Sequence, residues 1–380
     1  MTSNWSIRNS RIVLGNRVLE SGSLQIVGDR IASVSDKDAD GFNLEGATLF
    51  PGFIDAHIHG AIGVDVMAAS AEQLHQVSMF LASRGVTAWL PTFVPAADEE
   101  YQSAVAAIEK ASDGGGARRV GLHYEGPFVN SAQCGALHTE YFKTYDSPAV
   151  LDLLPVPRTS AAVKMITLAP EIDGGIALIK ELRQRGWVIS IGHTRADEAV
   201  LDRAADAGAC HMTHFMNAMP QMHHRQPGPV GWGLSREDVT CDLIADGIHL
   251  HRLVLRVLMK AKGTAGLSLI SDAIAAAGKG DGEYQIWGET ISVKDGRTSN
   301  AKGSIAGSVI TMLDAVKMMR SIGATDVEIG QMASTNPARL LRLDHECGAI
   351  EEGKRADLVA LDPEGNVRLT IVGGKIVFQG

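Results

Sequence analysis

Two hydrophobic patterns alternate along the middle of the chain. Short apolar runs of the strand kind recur at Phe53–His59, Val86–Phe93, Val120–Phe128, Val163–Glu171, Val188–Thr194, His211–Asn217, Val239–His249 and Ser268–Ile274. Between them lie helical patterns at Ala71–Arg84, Glu99–Ala111, Ile176–Arg185, Ala196–Ala207 and Leu253–Lys262. Several of these stop at glycine, as in Arg84-Gly85, Arg185-Gly186 and Ala207-Gly208, which suits a helix C-cap. Eight strands joined by helical crossovers predict a parallel barrel of the (β/α)8 (TIM) kind within the α/β class.

The two ends read differently. Ser6–Val13 and Ser23–Val34 alternate in strand fashion, with turn signals at Gly15-Asn16 and Gly28-Asp29. Ala356–Leu361 is a short apolar strand, and Asn366–Phe378 reads as a hairpin turning at Gly373-Gly374. Neither end is long enough to bury a core alone. The economical expectation is one small β-sandwich domain from residues 1–50 and 344–380, with residues 51–343 forming the barrel.

At 380 residues and 45% hydrophobic, the chain can bury a sizeable core. Its formal charge is −9 and no basic run stands out, so nucleic acid is not an expected partner. Met1–Leu14 lacks an apolar secretion core, and no apolar stretch is long enough to span a bilayer, so no membrane association is expected. The four cysteines are scattered without a Cys-x-x-Cys, which predicts reduced thiols in a cytoplasmic protein. Cys210 and Cys241 fall in strand-like runs and are expected in the core; Cys134 falls in a loop. Gly114-Gly115-Gly116 reads as a connector, with no P-loop behind it.

The polar residues that interrupt the apolar runs are the informative ones. Residues two apart in a strand share a side, so His57 and His59 present two imidazoles together. Glu125 precedes the Gly126-Pro127 turn, and His193, His214, His249 and Asp272 fall at the ends of later runs. In such barrels the active site lies at the C-terminal strand ends. Three imidazoles or carboxylates can hold a divalent ion with one position open to water. Bound water then has its pKa lowered from 15.7 to about 7. A carboxylate that takes the proton and returns it to the leaving group completes a hydrolysis, and Asp272 is the candidate.

Pro51-Gly52-Phe53-Ile54-Asp55-Ala56-His57-Ile58-His59 resembles the first barrel strand of the amidohydrolase superfamily. The resemblance sharpens at Gly121–Phe128, Thr167–Glu171, Gly192-His193-Thr194, Thr213-His214, Asn217–Pro220, Ser271-Asp272-Ala273 and Gly303–Ser308. These strings are similar to the N-acetylglucosamine-6-phosphate deacetylase family over nearly the whole chain. The resemblance implies a metal-dependent hydrolase that releases acetate from an amino-sugar phosphate. It implies that Glu125, His193 and His214 hold the principal ion and that Asp272 acts as base, then acid. Some members replace the first-strand pair; here both are present, so a second ion at His57 and His59, bridged by Glu125, is expected. Zinc leads among the ions, with iron or manganese as alternatives. The same resemblance implies substrate contacts from Ala136, His138, Asn217, Ala218, His249 and Ile305. It also implies a phosphate contact from Arg225 that reaches a neighbouring subunit's site, hence a homodimer.

One stretch departs from the family pattern. After Glu125 the loop reads Gln133-Cys134-Gly135-Ala136-Leu137-His138. The family's basic residue has become Cys134, and its histidine stands one place late. Alternatives from the sequence are a deacetylase for the galactosamine epimer, one for an unphosphorylated N-acetyl sugar, and a non-catalytic scaffold.

Overall fold

The computed structural model of the chain describes residues 4–37, 39–112, 114–158 and 162–380. Of the leading stretch Met1–Leu14, the first three residues lie outside this description. Eight parallel strands form the central sheet: β1 (Phe53–Ile58), β2 (Val86–Phe93), β3 (Gly121–Glu125), β4 (Val163–Leu168), β5 (Val188–Ile191), β6 (His211–Met212), β7 (Thr240–Ile244) and β8 (Leu267–Ile270). They are hydrogen-bonded in chain order. A parallel bridge between Ile58 and Ala273 brings the last strand back to the first. The architecture is the expected (β/α)8 barrel with a small terminal β domain.

The barrel interior changes character along its axis. Toward the strand starts it is apolar, with Ile54, Ala88, Met165, Val188 and Ile270 in one cluster. Toward the strand ends it turns polar yet stays buried, with Thr92, His123, Thr167, Ser190 and Thr213. These groups satisfy one another: His123 Nε2 lies 2.8 Å from Thr167 Oγ1, and Thr167 Oγ1 lies 2.6 Å from Thr213 Oγ1. This hydrogen-bonded layer is the floor of the catalytic end.

The expected helices are present at Ala71–Ala82, Asp98–Lys110, Gly175–Gln184, Glu198–Ala207 and Arg252–Lys262. Their ends follow local chemistry. Ser70 and Gln73 form a capping box, Asp197 accepts from Val200 N–H, and Gly208 closes its helix in the left-handed region. Helices at Gly228–Ser235 and Met312–Ser321 were not expected. The first contains Gly and Pro residues that mask a helical pattern. The strands are shorter than the apolar runs, because the runs continue past the last ladder bond into the rim loops. The crossover from β3 to β4 carries 3₁₀ turns at Ser131–Gln133, Thr139–Tyr141 and Pro148–Leu153. A three-stranded antiparallel sheet, β9 (Gly282–Ile286), β10 (Glu289–Lys294) and β11 (Arg297–Ser299), follows β8 and was also unexpected.

Both termini contribute to one largely antiparallel sheet. Strand Thr48–Pro51 joins the N-terminal strands to the C-terminal ones, pairing with Leu358–Leu361 so that Leu358 faces Pro51. Ile7, Ile12, Leu24, Ile26, Leu49, Leu358 and Leu369 form its core. The hairpin at Gly373-Gly374 is as expected, with both glycines at positive φ. Thr48–Pro51 leads directly into β1 through Gly52. A Cβ there would lie 2.2 Å from the Thr87 side chain, so only glycine allows this approach. The terminal domain therefore anchors the start of the strand that carries His57 and His59. All four cysteines are free: Cys241 and Cys347 are buried, while Cys210 and Cys134 are partly exposed. Among the described residues, no helix is long and apolar enough to cross a membrane.

Candidate metal centre

Regular and irregular backbone both build the site. His57 on β1 and His59 one residue past its end are buried beside a bulge in the β1–β2 ladder between Asp55 and Ile58, and Glu125 at the end of β3 is buried too. His193, His214 and Asp272 each stand two residues beyond their strands, with φ of +47°, +31° and +50°. Such angles are rare outside glycine, and here they break the strand alternation at three site positions. The main chain of Asp272 is held from both sides: its N–H donates to His57 O at 2.9 Å, and its carbonyl accepts from Ser308 N–H at 2.7 Å.

Glu125 is the shared element. Its Oε1 lies 2.9 Å from His193 Nε2 and 2.8 Å from His214 Nε2, and those two nitrogens are 3.1 Å apart. Its Oε2 lies 3.2 Å from His59 Nε2 and 3.7 Å from His57 Nε2, themselves 3.1 Å apart. Asp272 Oδ1 is 3.2 Å from His59 Nε2 and 3.4 Å from His57 Nε2. Donors around a tetrahedral ion with bonds of about 2.0–2.1 Å sit roughly 3.3 Å apart. Two donor sets therefore fit an ion: His57, His59 and Glu125, and Glu125, His193 and His214. The outer ring nitrogens support this. His59 Nδ1 lies 3.2 Å from Thr92 O and His193 Nδ1 lies 2.8 Å from Gln133 O. A proton on Nδ1 donated to these carbonyls leaves Nε2 bare for a metal.

The charges of the ion-free cluster are strongly coupled. Burial works to raise the Glu125 pKa, but His57 and hydrogen bonds from His193 and His214 hold it well below the carboxylate range. Burial also opposes ionisation of Asp272, and His57 and His59 bring its pKa down. Burial alone would discharge His59 and His214; hydrogen bonds they donate to the carboxylates push them up to about 10 and about 9. Protons thus take the place of a cation among these groups.

Several carboxylates buttress the site, and the sequence reading gave them no role. Asp55 accepts from Ser271 Oγ at 2.6 Å and Ser271 N–H at 3.2 Å, tying β1 to the end of β8. Burial pushes its pKa up to about 6. Asp242 lies 3.0 Å from His211 Nε2 and accepts the backbone N–H of His214, which fixes that left-handed residue. Glu171 accepts from Asn130, Thr194 and the Arg195 N–H, holding the loop that bears His193. A lone Asp inside an apolar strand run was the available signal for Asp55 and Asp242.

A cavity of about 150 Å³ opens over the cluster, and Ala136, Asn217, Ala218, His249 and Ile305 line it. His249 Nδ1 lies 2.6 Å from Asp246 Oδ2, which orients its ring. Both the backbone N–H and the side-chain Nδ2 of Asn217 donate to His214 O, at 2.9 and 3.1 Å. One of the expected contacts lies off the cavity wall. His138 pairs with Glu140 at 3.3 Å and stacks on Tyr141, while Leu137 takes the place on the cavity wall. Arg225 sits on an exposed loop, 2.7 Å from His224. A larger cavity of about 1000 Å³ opens at the opposite, strand-start end, where Arg118, Lys164 and Arg342 line it. The two donor sets that fit an ion both lie at the strand-end rim.

The chain is similar to known proteins over its whole length. The family described as the amidohydrolase family matches residues 48–377. An N-acetylglucosamine-6-phosphate deacetylase of Bacillus subtilis (strain 168) is 36% identical, covering 100% of this chain and 98% of the relative. An N-acetylgalactosamine-6-phosphate deacetylase of Escherichia coli O157:H7 is 34% identical, covering 97% of this chain and 98% of the relative. A solved Mycobacterium smegmatis N-acetyl-D-glucosamine-6-phosphate deacetylase mutant, in complex with N-acetyl-D-glucosamine-6-phosphate, superposes with a TM-score of 0.90 at 31% identity. That match covers 99% of this chain and 100% of the other. With the family matched over most of its length and relatives above 30% identity end to end, the chain belongs to the amidohydrolase family.

Proposed function

We propose that the chain hydrolyses N-acetyl-D-glucosamine 6-phosphate to D-glucosamine 6-phosphate and acetate. The observation that carries the reading is Glu125, whose two oxygens each face a histidine pair, with Asp272 beside them on the same rim. A divalent ion bound there, zinc before iron or manganese, supplies Lewis acidity that lowers the pKa of water and polarises the acyl oxygen. Asp272 takes the proton from the attacking water and returns it to the departing amine nitrogen. One ion at Glu125, His193 and His214, and a second at His57 and His59 sharing Glu125, is the occupancy this reading adopts.

The sugar phosphate extends toward the ends of β6 and β7, where Ala218, Asn217 and His249 face the cavity. Arg225, exposed on its own chain, suits the phosphate of a neighbouring subunit's site, since its planar fork matches a phosphate edge. The reading thus takes the enzyme as a homodimer in the cytoplasm. Ala136 and Ile305 flank the sugar; His138, engaged with Glu140, makes no contact with the acyl group. The relative from Escherichia coli O157:H7 keeps a second substrate in view, the galacto epimer. Acetate release from N-acetylated hexosamines, with and without 6-phosphate, at defined metal content tests both. Fastest turnover of the gluco 6-phosphate is expected. Preference for the galacto compound would move the assignment to the epimer, and cleavage of cyclic amides alone would overturn it.

A further inference from the structure

The turn between β9 and β10 carries an unusual residue. Trp287 and Gly288 are its central pair, at φ +53° and +75°. Two-residue hairpin turns of this left-handed kind favour Asn-Gly, and a bulky side chain at the first position is strained. Strain of this kind is retained where the side chain has a use. The indole stands edge-on to His59, with ring centroids 5.2 Å apart, and forms part of the cavity wall. It also joins two apolar groups: Ile286 and Ile291 of its own hairpin, and Leu137 with Val129 on the loop after β3. Glu289 of the same hairpin approaches His138 Nε2 at 4.0 Å, so hairpin and loop lean on each other.

We propose that Trp287, with Leu137, closes the acyl end of the cavity and restricts the group removed to acetyl. This rests on the deacetylase reading above. The carbonyl carbon must come within reach of Asp272 and the donor sets around Glu125. The sugar phosphate runs from there toward His249 and Ala218. The acyl substituent is then directed the other way, against His59, Trp287 and Leu137. Trp287 and Leu137 make their part of that wall apolar, as a methyl group requires, and packed side chains back it. A longer acyl chain would have to displace the indole.

The test compares kcat/KM for N-acetyl, N-propionyl and N-butyryl derivatives of one amino-sugar 6-phosphate, using metal-loaded enzyme. Wild type should lose about 10–200-fold for an added methylene. Trp287→Gly suits the left-handed backbone; it should narrow the propionyl-to-acetyl gap by about tenfold or more, with metal content unchanged. Trp287→Phe should fall between. Should Trp287→Gly fail to fold, Leu137→Ala on the facing wall serves in its place. Folded, metal-loaded variants with the wild-type ratio would overturn the inference alone. Wild type inactive on every N-acetyl amino-sugar phosphate would remove the functional reading, and this inference with it.

Discussion

The two halves of the metal cluster share Glu125 but are built in opposite ways. His57 lies on β1 and His59 one residue past its end, both outside the left-handed region, where β1 is bulged against β2 between Asp55 and Ile58. His193 and His214 stand beyond their strands on left-handed backbone, each held by a carboxylate in another element: Glu171 through the Thr194–Arg195 loop, and Asp242 directly. The second half is also tighter. Both its nitrogens lie within 2.9 Å of one carboxylate oxygen, whereas the β1 pair lies at 3.2 and 3.7 Å. Asp272 approaches only the β1 pair in the ion-pair geometry. An ion in the β5–β6 half can therefore be held without drawing on the base. An ion in the β1 half lies against it. The left-handed half would hold an ion without the base; the β1 half would couple holding to proton transfer.

Replacing Glu125 should break both halves at once and give the largest effect. Glu125→Gln keeps the shape and removes the shared charge. Metal content should fall toward zero, and kcat/KM by about 10⁴ or more, because unassisted water returns toward its bulk pKa of 15.7. Elemental analysis beside acetate release checks this; near-normal metal content and rate would show that Glu125 is not the shared ligand.

Asp272→Asn should separate holding from chemistry. The β5–β6 half needs nothing from Asp272, so at least one ion per chain should remain while kcat drops by about 10²–10⁴. Loss of all metal in this variant would make Asp272 a ligand first. The β1 half has a smaller stake. Replacing His57 and His59 together by Asn should lower the metal content by one ion and the rate by less than Glu125→Gln does, since the other donor set stays whole. Wild type fully active with one equivalent, and indifferent to both substitutions, would remove the second ion.

The same contrast explains what could be read from the sequence. The barrel was legible because eight apolar runs alternate with helical ones. His57, His59 and Glu125 were legible because strand period and a Gly-Pro turn fix where they point. The role of Asp242 was not, because it depends on contact with His214, 28 residues away in the chain. Asp55 depends on Ser271, 216 residues away. The helix Gly228–Ser235 hid behind its glycines and proline. The hairpin that delivers Trp287 offered only short, half-exposed strands, with no strong alternation to mark them. Local pattern marked the metal-site residues at the strand ends, while the contacts that hold His193 and His214 in left-handed backbone are long-range.

The smallest effect expected is one of pH on the ion-free protein, and it reads the two halves separately. His59 is pushed up to about 10 and His214 to about 9, both above the ordinary 6.5. A raised imidazole pKa stabilises the fold fully below about 6.5. That contribution is lost as pH climbs through the folded-state values. Glu125 and Asp272, held low, act the other way, contributing above the ordinary carboxylate range and failing as pH falls below it. The chelated protein should therefore be most stable near pH 5–6, a window set by these opposing shifts, and should lose melting temperature steadily from pH 7 to 10. With the ion bound, protons no longer fill the cluster, and metal affinity should rise over the same interval. Thermal unfolding of chelated and zinc-loaded protein from pH 5 to 10 provides the comparison. His59→Asn and His214→Asn should each remove part of the alkaline slope of the chelated protein, one from each half. Parallel curves for chelated and loaded protein would mean that protons and metal do not compete for these nitrogens, and that the two halves are not one linked site.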